Sequence, residues 1–245
     1  SKNNLLSNLI KKTADVNWIP LWGEARLKGM LEGRPDWCIS RQRKWGVPIT
    51  LLINKKTGEP HSNSSIIFSR ICKLVEEYGI EKWFDIDIEE LIDNPEDYEK
   101  VQDTLDVWFD SGSSHSAVLE KKPQLSFPAD LYLEGSDQHR GWFQSSLITS
   151  VAVCNEPPYK AAMTHGFTVD AKGNKMSKSK GNVIAPQKII DRLGSDILRL
   201  WVASTDSSSE MNVSEEILNR TSDKYRKIRN TIKFLLSNIA DYDPT

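Results

Sequence analysis

The chain has 245 residues, 32 of them Lys or Arg against 34 Asp or Glu, and 38% apolar side chains. That is enough for one large domain or two smaller ones with a proper core. A net charge of −2 excludes a wholesale nucleic-acid binder, so any phosphate contact must come from a local patch.

The start, "SKNNLLSNLIKK", has no signal-peptide architecture and reads as an amphipathic opening or as a chain cut out of something longer. No apolar run approaches the roughly 18 residues that span a bilayer. The three cysteines, Cys38, Cys72 and Cys154, are scattered and form no C-x-x-C, which argues against a disulfide framework and a zinc knuckle. A reducing, cytoplasmic setting is expected. Residues 15–53 are dense in Trp, Arg and Pro, and close on "VPITLLI", which reads as a strand, before the turn chemistry of "KKTGEP". Ile67, Ile71, Leu74, Val75 and Tyr78 recur at helical spacing over 65–79, with Gly79 as the stop. The acidic stretch from Asp85 to Asp106, broken by Pro95, reads as a surface excursion with short helices.

An alternation of strand and helix follows. "DLYLEG" predicts a short strand. "SDQHRGWFQSSLITSVAV" predicts a helix with Trp142, Phe143, Leu147 and Val151 on one face, capped by Ser136 or Asp137. "KAAMTHGFTV" predicts a second strand, and "APQKIIDRLG" and "SDILRLWVAST" two short helices, with Pro186 near the first one's start and Gly194 at its end. This is the pattern of a parallel α/β sheet, in which sites lie at the carboxyl ends of strands. "EGSDQ" and "KMSKS" both fall at such ends and can face one crevice. After Asp206 a polar linker leads into one long amphipathic helix with Ile217, Leu218, Tyr225, Ile228, Ile232, Leu235 and Leu236 on its apolar side. Its basic cluster, Lys224, Arg226, Lys227 and Arg229, is either a solvated face or a surface that approaches phosphates.

The densest charge lies at "KGNKMSKSKGN", where Lys172, Lys175, Lys178 and Lys180 stand within nine positions. By charge alone a solvated loop is the commoner case. Three features point further: the loop follows a predicted strand, Met176 can anchor it to the body, and neither G-x-x-x-x-G-K-[ST] nor G-x-G-x-x-G is present. Lysines on a mobile loop suit a reaction that develops charge on phosphate oxygens.

Lys175-Met176-Ser177-Lys178-Ser179 matches the KMSKS signature of class I aminoacyl-tRNA synthetases letter for letter. "DWCISRQRKWGVPI", "DTLDVWFDSGSSHSAVL", "LYLEGSDQHRGWFQSSL", "THGFTVDAKGNKMSKSKGN" and "DILRLWVASTD" resemble the isoleucyl-tRNA synthetases of bacterial type, and the likeness covers nearly the whole chain. "WFDSGSSH" and "EGSDQHRGWFQSSL" are closer to the isoleucine enzymes than to the valine and leucine ones.

The resemblance implies residues 1–205 as the second half of a Rossmann-like α/β catalytic domain, after an editing insertion. It implies 206–245 as a linker and the first helix of an all-α anticodon-binding domain. It implies activation of isoleucine with ATP and Mg2+, then transfer to tRNA(Ile), by a protein expected to be monomeric. Lys175 and Lys178 would neutralise the triphosphate and the departing pyrophosphate, Lys178 foremost, with Ser177 and Ser179 as hydroxyl donors and Met176 beside them. Glu134, Gly135, Asp137 and Gln138 match the adenylate-facing strand end, where the carboxylates hold ribose hydroxyls or the substrate ammonium. His165 and Gly166 lie beside the adenosine site, with Phe167 as a core residue. Trp108 and Trp142 resemble the aromatic walls of the isoleucine side-chain pocket. These enzymes are themselves the standard example that one methylene gives limited selectivity, so that editing supplies the rest. Arg41, Gln42, Arg43 and Lys44 form a second basic knot. It is read as a contact with the tRNA acceptor end (Arg41, Arg43) or the inserted domain, or equally as a charged strand approach. Lys224 and Arg226 are the remaining candidates for tRNA contact.

The class carries a second signature, His-x-Gly-His. His61, His115, His139 and His165 contain no pair three apart, so this stretch is expected to be inactive alone. No metal ligand set is expected and no zinc site. The competing readings are another member of the valine and leucine group, a nucleotidylyltransferase-like domain, and an RNA-binding module.

Overall fold

The computed structural model describes residues 4–241. In chain order the elements begin with α1 (Leu5–Thr13), β1 (Asn17–Ile19), α2 (Trp22–Glu32), β2 (Ser40–Arg41) and β3 (Leu52–Asn54). Next come α3 (Ser64–Tyr78), α4 (Lys82–Asp85), β4 (Tyr98–Lys100), β5 (Thr104–Leu105) and α5 (Val107–Gly112). A π-helical turn, His115–Leu119, precedes β6 (Tyr132–Gly135), α6 (Trp142–Cys154), β7 (Ala161–His165) and β8 (Thr168–Val169). The chain continues through α7 (Pro186–Leu193), α8 (Ser195–Ala203), β9 (Met211–Asn212) and α9 (Glu215–Asn238). The contacts divide it into two compact units, one built from Glu24–Asp130 and His139–Lys160 with the N-terminal segment to Asn17, the other from Trp18–Gly23, Leu131–Gln138 and everything from Ala161 on.

The first unit is organised around α6. Phe143 and Leu147 are completely buried, and so are Ser146 and Ser150 on other sides, so the helix is enclosed nearly all round up to Val151, and only its last turn is exposed. α5 packs on it closely: a methyl group added at Gly112 would meet the Ser145 backbone at 3.0 Å. The expected cap is corrected. Ser136–Arg140 forms a 3-10 turn, and α6 starts at Trp142 from Gly141, with no side-chain cap hydrogen bond.

A satellite core in the same unit joins Leu52, Ile67, Ile71, Trp83, Ile86 and Leu91. It shows α3 as predicted from the spacing, with Leu74 and Val75 against the cluster, although Tyr78 is 61% exposed. The acidic stretch carries its short helices but is more than an excursion. Ile86 and Leu91 enter this core, and Tyr98–Lys100 pairs antiparallel with β3. Lys100 donates to the carbonyls of Trp83, Phe84 and Ile86 at 2.8, 2.9 and 2.8 Å, closing α4, and burial lowers its pKa. The strand expected over "VPITLLI" contracts to Leu52–Asn54. Upstream, Pro48 has no N–H to give a ladder and makes only an isolated bridge to Thr104.

In the second unit the sheet order is β1-β7-β6, and β6 and β7 run parallel with Gly135 opposite His165. The second predicted strand is divided at Gly166 and Phe167. Its later part, β8, leaves this sheet and pairs in parallel with β9, Val169 opposite Asn212. The linker expected after Asp206 therefore contains a strand, whose Met211 is buried with Val213 against Ile189, Trp201 and Leu218. α7 and α8 meet at Gly194, whose φ of +87° is the left-handed region that glycine adopts without cost. Ser214 caps α9, accepting from the Ile217 amide at 3.2 Å. Leu218 and Thr221 are buried in its first turns, while Ile228, Ile232, Leu235 and Leu236 are 49–58% exposed. Among the described residues no helix is long and apolar enough to cross a membrane.

Candidate active site

The parallel register brings two of the sequence-predicted segments to one sheet end, because Gly135 closes β6 where His165 closes β7. Glycine at 135 has a specific reason. A methyl there would stand 2.8 Å from Asp137 Oδ1 and 3.6 Å from His165 Cε1. Asp137 thus folds back over the strand end, where its Oδ2 accepts from Gln138 Nε2 at 3.2 Å. Glu134 and Asp137 are exposed, leaving their carboxylates open to a polar ligand. His165 turns Nδ1 to the Gly166 carbonyl at 2.8 Å. A methyl at Gly166 would fall 2.0 Å from the Ser209 carbonyl oxygen, so the chain crosses there backbone against backbone.

The lysine loop follows a strand end as expected, but that strand is β8, which lies outside the sheet of β6 and β7. Phe167 supplies the link. Its ring lies 3.9 Å from where a Gly135 methyl would be, and Lys175 Nζ stands 3.6 Å from its centroid. Met176 packs onto the core of α7, α8 and β9, as an anchoring residue should. Ser177 accepts from the Lys180 amide at 3.3 Å and meets Ser179 Oγ at 3.2 Å, starting the 3-10 turn that carries the exposed Lys178.

Two residues that sequence reasoning missed hold this loop. Asn182 Oδ1 accepts from the Ser177 amide at 2.9 Å, and its Nδ2 donates to Asp170 Oδ2 at 2.9 Å. Asp170 Oδ1 also accepts from the amides of Lys172 and Asn174, both at 2.9 Å. The bond from Asn182, then those from the Asn174 and Lys172 amides, hold the Asp170 carboxyl down to about 2. The Asp-x-x-Gly-Asn string from 170 carries an Asx-turn signature that could have revealed Asp170. Asn182 reaches it across 12 positions and left no local signal.

The first unit holds Trp108, Trp142, Arg41 and Arg43, and the second unit holds Lys224 and Arg226. Trp108 sits in the first turn of α5 and is 42% exposed, and Trp142 starts α6. Trp142 Nε1 donates to the Ser111 carbonyl at 3.0 Å and to Ser114 Oγ at 3.2 Å. Arg41 is committed to the buried Asp106 at 2.9 Å, while Arg43 and Lys44 are exposed. Arg41, Arg43, Lys44 and Trp45 line one side of a pocket of about 840 Å3, with Phe84 and Val107 on its wall. In α9, Arg226 pairs with Asp223 at 3.1 Å on the exposed surface, and Lys224 is exposed beside it. Among the described residues no three His, Cys, Asp or Glu side chains gather to hold a metal ion.

Residues 1–214 match the family model of tRNA synthetases class I (I, L, M and V). The chain is 59% identical over 241 residues to a protein named isoleucine–tRNA ligase from Thioalkalivibrio sulfidiphilus, covering 98% of this chain and 26% of that one. It is 61% identical over 230 residues to one of the same name from Alkalilimnicola ehrlichii, covering 94% and 24%. It thus spans about a quarter of the length of the curated relatives it matches. The fold resembles LeuRS of Agrobacterium radiobacter K84 in a ternary complex with tRNA and LeuAMS, with a TM-score of 0.62 and 20% identity over 85% of this chain and 29% of that one. It also resembles methionyl-tRNA synthetase of Mycobacterium tuberculosis bound by methionyl-adenylate, with a TM-score of 0.54 and 19% identity over 89% and 34%. With the KMSKS loop and the parallel strand ends beside it, the family match over residues 1–214 shows that this chain belongs to the class I tRNA synthetases.

Proposed function

We propose that the chain is part of an isoleucine–tRNA ligase, with residues 1–205 in its catalytic domain and 206–245 leading into a helical tRNA-binding region. The identity of 59–61% to proteins of that name, running over nearly the whole chain, carries this reading. An isoleucine carboxylate oxygen attacks the α-phosphorus of ATP, the bond to the β-phosphate oxygen breaks, and pyrophosphate leaves with its electron pair. A terminal ribose hydroxyl of tRNA(Ile) then attacks the acyl carbon, AMP departs, and the hydroxyl proton is released.

No covalent enzyme intermediate is required, so the protein contributes position and charge. Lys178, exposed on its 3-10 turn, meets the charge that grows on the leaving pyrophosphate, and Lys175 joins it on leaving Phe167. The hydroxyls of Ser177 and Ser179, 3.2 Å apart, donate to the same oxygens. Glu134 and Asp137 hold the ribose hydroxyls or the isoleucine ammonium, and His165 and Gly166 flank the adenosine. The family uses magnesium with ATP. An ion held mainly by phosphate oxygens and water needs no protein cage, and the exposed Glu134 and Asp137 carboxylates suit its outer shell. Trp108 and Trp142 wall the apolar side-chain pocket, and Arg43, Lys224 and Arg226 are the tRNA-facing cations, while the fourth candidate, Arg41, is held by Asp106.

Amino-acid-dependent ATP–pyrophosphate exchange tests this in the full-length synthetase carrying the sequence. Exchange should favour isoleucine over valine and leucine. Lys178→Ala should slow it on the order of 100-fold, with isoleucine binding little changed. The chain by itself, which has no His-x-Gly-His, should be silent. A preference for valine or leucine would move the assignment within the family. Unchanged exchange in Lys178→Ala, with RNA binding weakened instead, would make the loop an RNA patch.

A further inference from the structure

We propose that Asp106, with Trp37, Arg41 and Arg34, forms a positioning clamp that sets the spacing of Trp108 and Trp142 and so tunes discrimination between isoleucine and smaller aliphatic substrates. The proposal rests on the reading of these two tryptophans as walls of the side-chain pocket. Asp106 is 6% exposed, and a carboxylate buried to that extent costs stability unless it is paired. Its Oδ2 accepts from Trp37 Nε1 and from Arg41 Nη2, each at 2.9 Å. Its Oδ1 faces the Trp108 amide at 3.4 Å, making Asp106 the N-cap of α5. Its own amide donates to the Ile39 carbonyl at 2.7 Å.

The strap from residue 34 to residue 41 therefore converges on the first turn of α5. Trp37 also lies against the ring of Phe109, centroids 5.9 Å apart. The strap holds α6 as well. Arg34 stacks over Trp37 at 4.8 Å and donates to Gln144 Oε1, two residues beyond Trp142 and itself buried. Trp142 in turn hangs from Ser111 of α5 and from Ser114 just beyond it. A planar guanidinium bridging an aromatic face to an amide fixes both orientation and distance, which a lysine could not do. Both tryptophans thus take their position from one buried carboxylate and the two arginines, Arg41 and Arg34, of the strap. An apolar pocket can discriminate only by shape, so a small shift of either wall changes which side chain fits.

The test uses pyrophosphate exchange by the full-length enzyme with isoleucine and with valine, alongside thermal unfolding. Asp106→Asn keeps the volume and loses the charge. It should raise KM for isoleucine about 5- to 10-fold and lower the isoleucine-to-valine ratio of kcat/KM at least about 3-fold, with KM for ATP within about 2-fold. Trp37→Phe keeps an aromatic ring under Arg34 but loses the indole N–H and the five-membered ring that carries it. It should move the same quantities in the same direction by less. If Asp106→Asn does not fold, Trp37→Phe decides. A folded variant with an unchanged ratio, or with both KM values rising together as Tm falls, would reduce the network to scaffolding and overturn the clamp. Absence of isoleucine-dependent exchange in the unaltered enzyme would overturn the functional reading and the clamp with it, a result distinct from failure of the variants alone.

Discussion

The ammonium of Lys175 stands 3.6 Å from the centre of the Phe167 ring, within the range where the ring's negative face attracts a cation. The first lysine of the KMSKS segment is thereby tied to the residue whose ring lies 3.9 Å from where a Gly135 methyl would be. At an exposed site such a contact is worth about 0.5–1 kcal/mol. Phe167→Leu should raise the rate of limited trypsin cleavage after Lys175 roughly 2- to 5-fold, the factor that energy implies. Cleavage at an unchanged rate would mean that the ring does not restrain the lysine.

Asn182 should matter more, because one amide side chain spans the loop from Asp170 to Ser177. Asn182→Ala should increase trypsin cleavage after both Lys175 and Lys178 by about 30-fold, since two hydrogen bonds of about 1 kcal/mol each are lost. The Asp170 end predicts the pH response. A carboxyl whose pKa is depressed to about 2 favours the ordered loop wherever pH lies above the ordinary aspartate value, and that contribution is lost as pH falls from there toward 2. Loop protection measured by amide exchange should be flat from pH 8 to 5 and decline below about 4. Asp170→Asn should remove the decline.

The parts of this arrangement that sequence reveals are those carried by local chemistry. The run of apolar residues over 64–78 with glycine behind it specifies α3, and Pro186 and Gly194 bracket α7. The lysine loop and both strand ends could be read directly as text. What escaped notice depends on residues far apart in the chain. Val169 pairs with Asn212 across more than 40 positions, so β9 is disguised within a polar linker. Asp106 belongs to a helix start by its local sequence, and only folding brings Trp37 and Arg41 onto it. The 3-10 turn at Ser136–Arg140 defeated the expected cap because Gly141, with ψ of −117°, redirects the chain before α6 begins.

Gly166 offers a test of the backbone crossing. A methyl 2.0 Å from the Ser209 oxygen and 2.3 Å from its carbonyl carbon meets main chain, which cannot rotate aside. The strand pair β8–β9 must separate to admit it. Gly166→Ala should cost about 2–4 kcal/mol in urea unfolding, in the range of severe overpacking. It should also abolish protection of the Met211 amide, which now donates to the Phe167 carbonyl at 2.9 Å. Wild-type stability in this variant would mean that the crossing relaxes freely.

His115 predicts the acid limb of stability in the first unit. The side chain is 2% exposed, and burial lowers its pKa, with Glu120 opposing. Thr149 Oγ1 has one proton and faces the carbonyls of Gly112, Ser145 and Ser146 at 2.7, 3.0 and 3.1 Å. Having given that proton away, it accepts from His115 Nε2 at 3.2 Å, which assigns the neutral Nε2–H tautomer. A histidine kept neutral in the fold contributes stability above its unfolded pKa of about 6.5, and that contribution is lost as pH falls through 6.5 toward the lowered folded value. Urea unfolding at pH 7.5 and 5.5 should therefore show a larger loss for the wild type than for His115→Gln, which retains a donor to Thr149 and does not titrate. Equal losses in the two proteins would show that His115 is protonated in the fold as readily as in the unfolded chain.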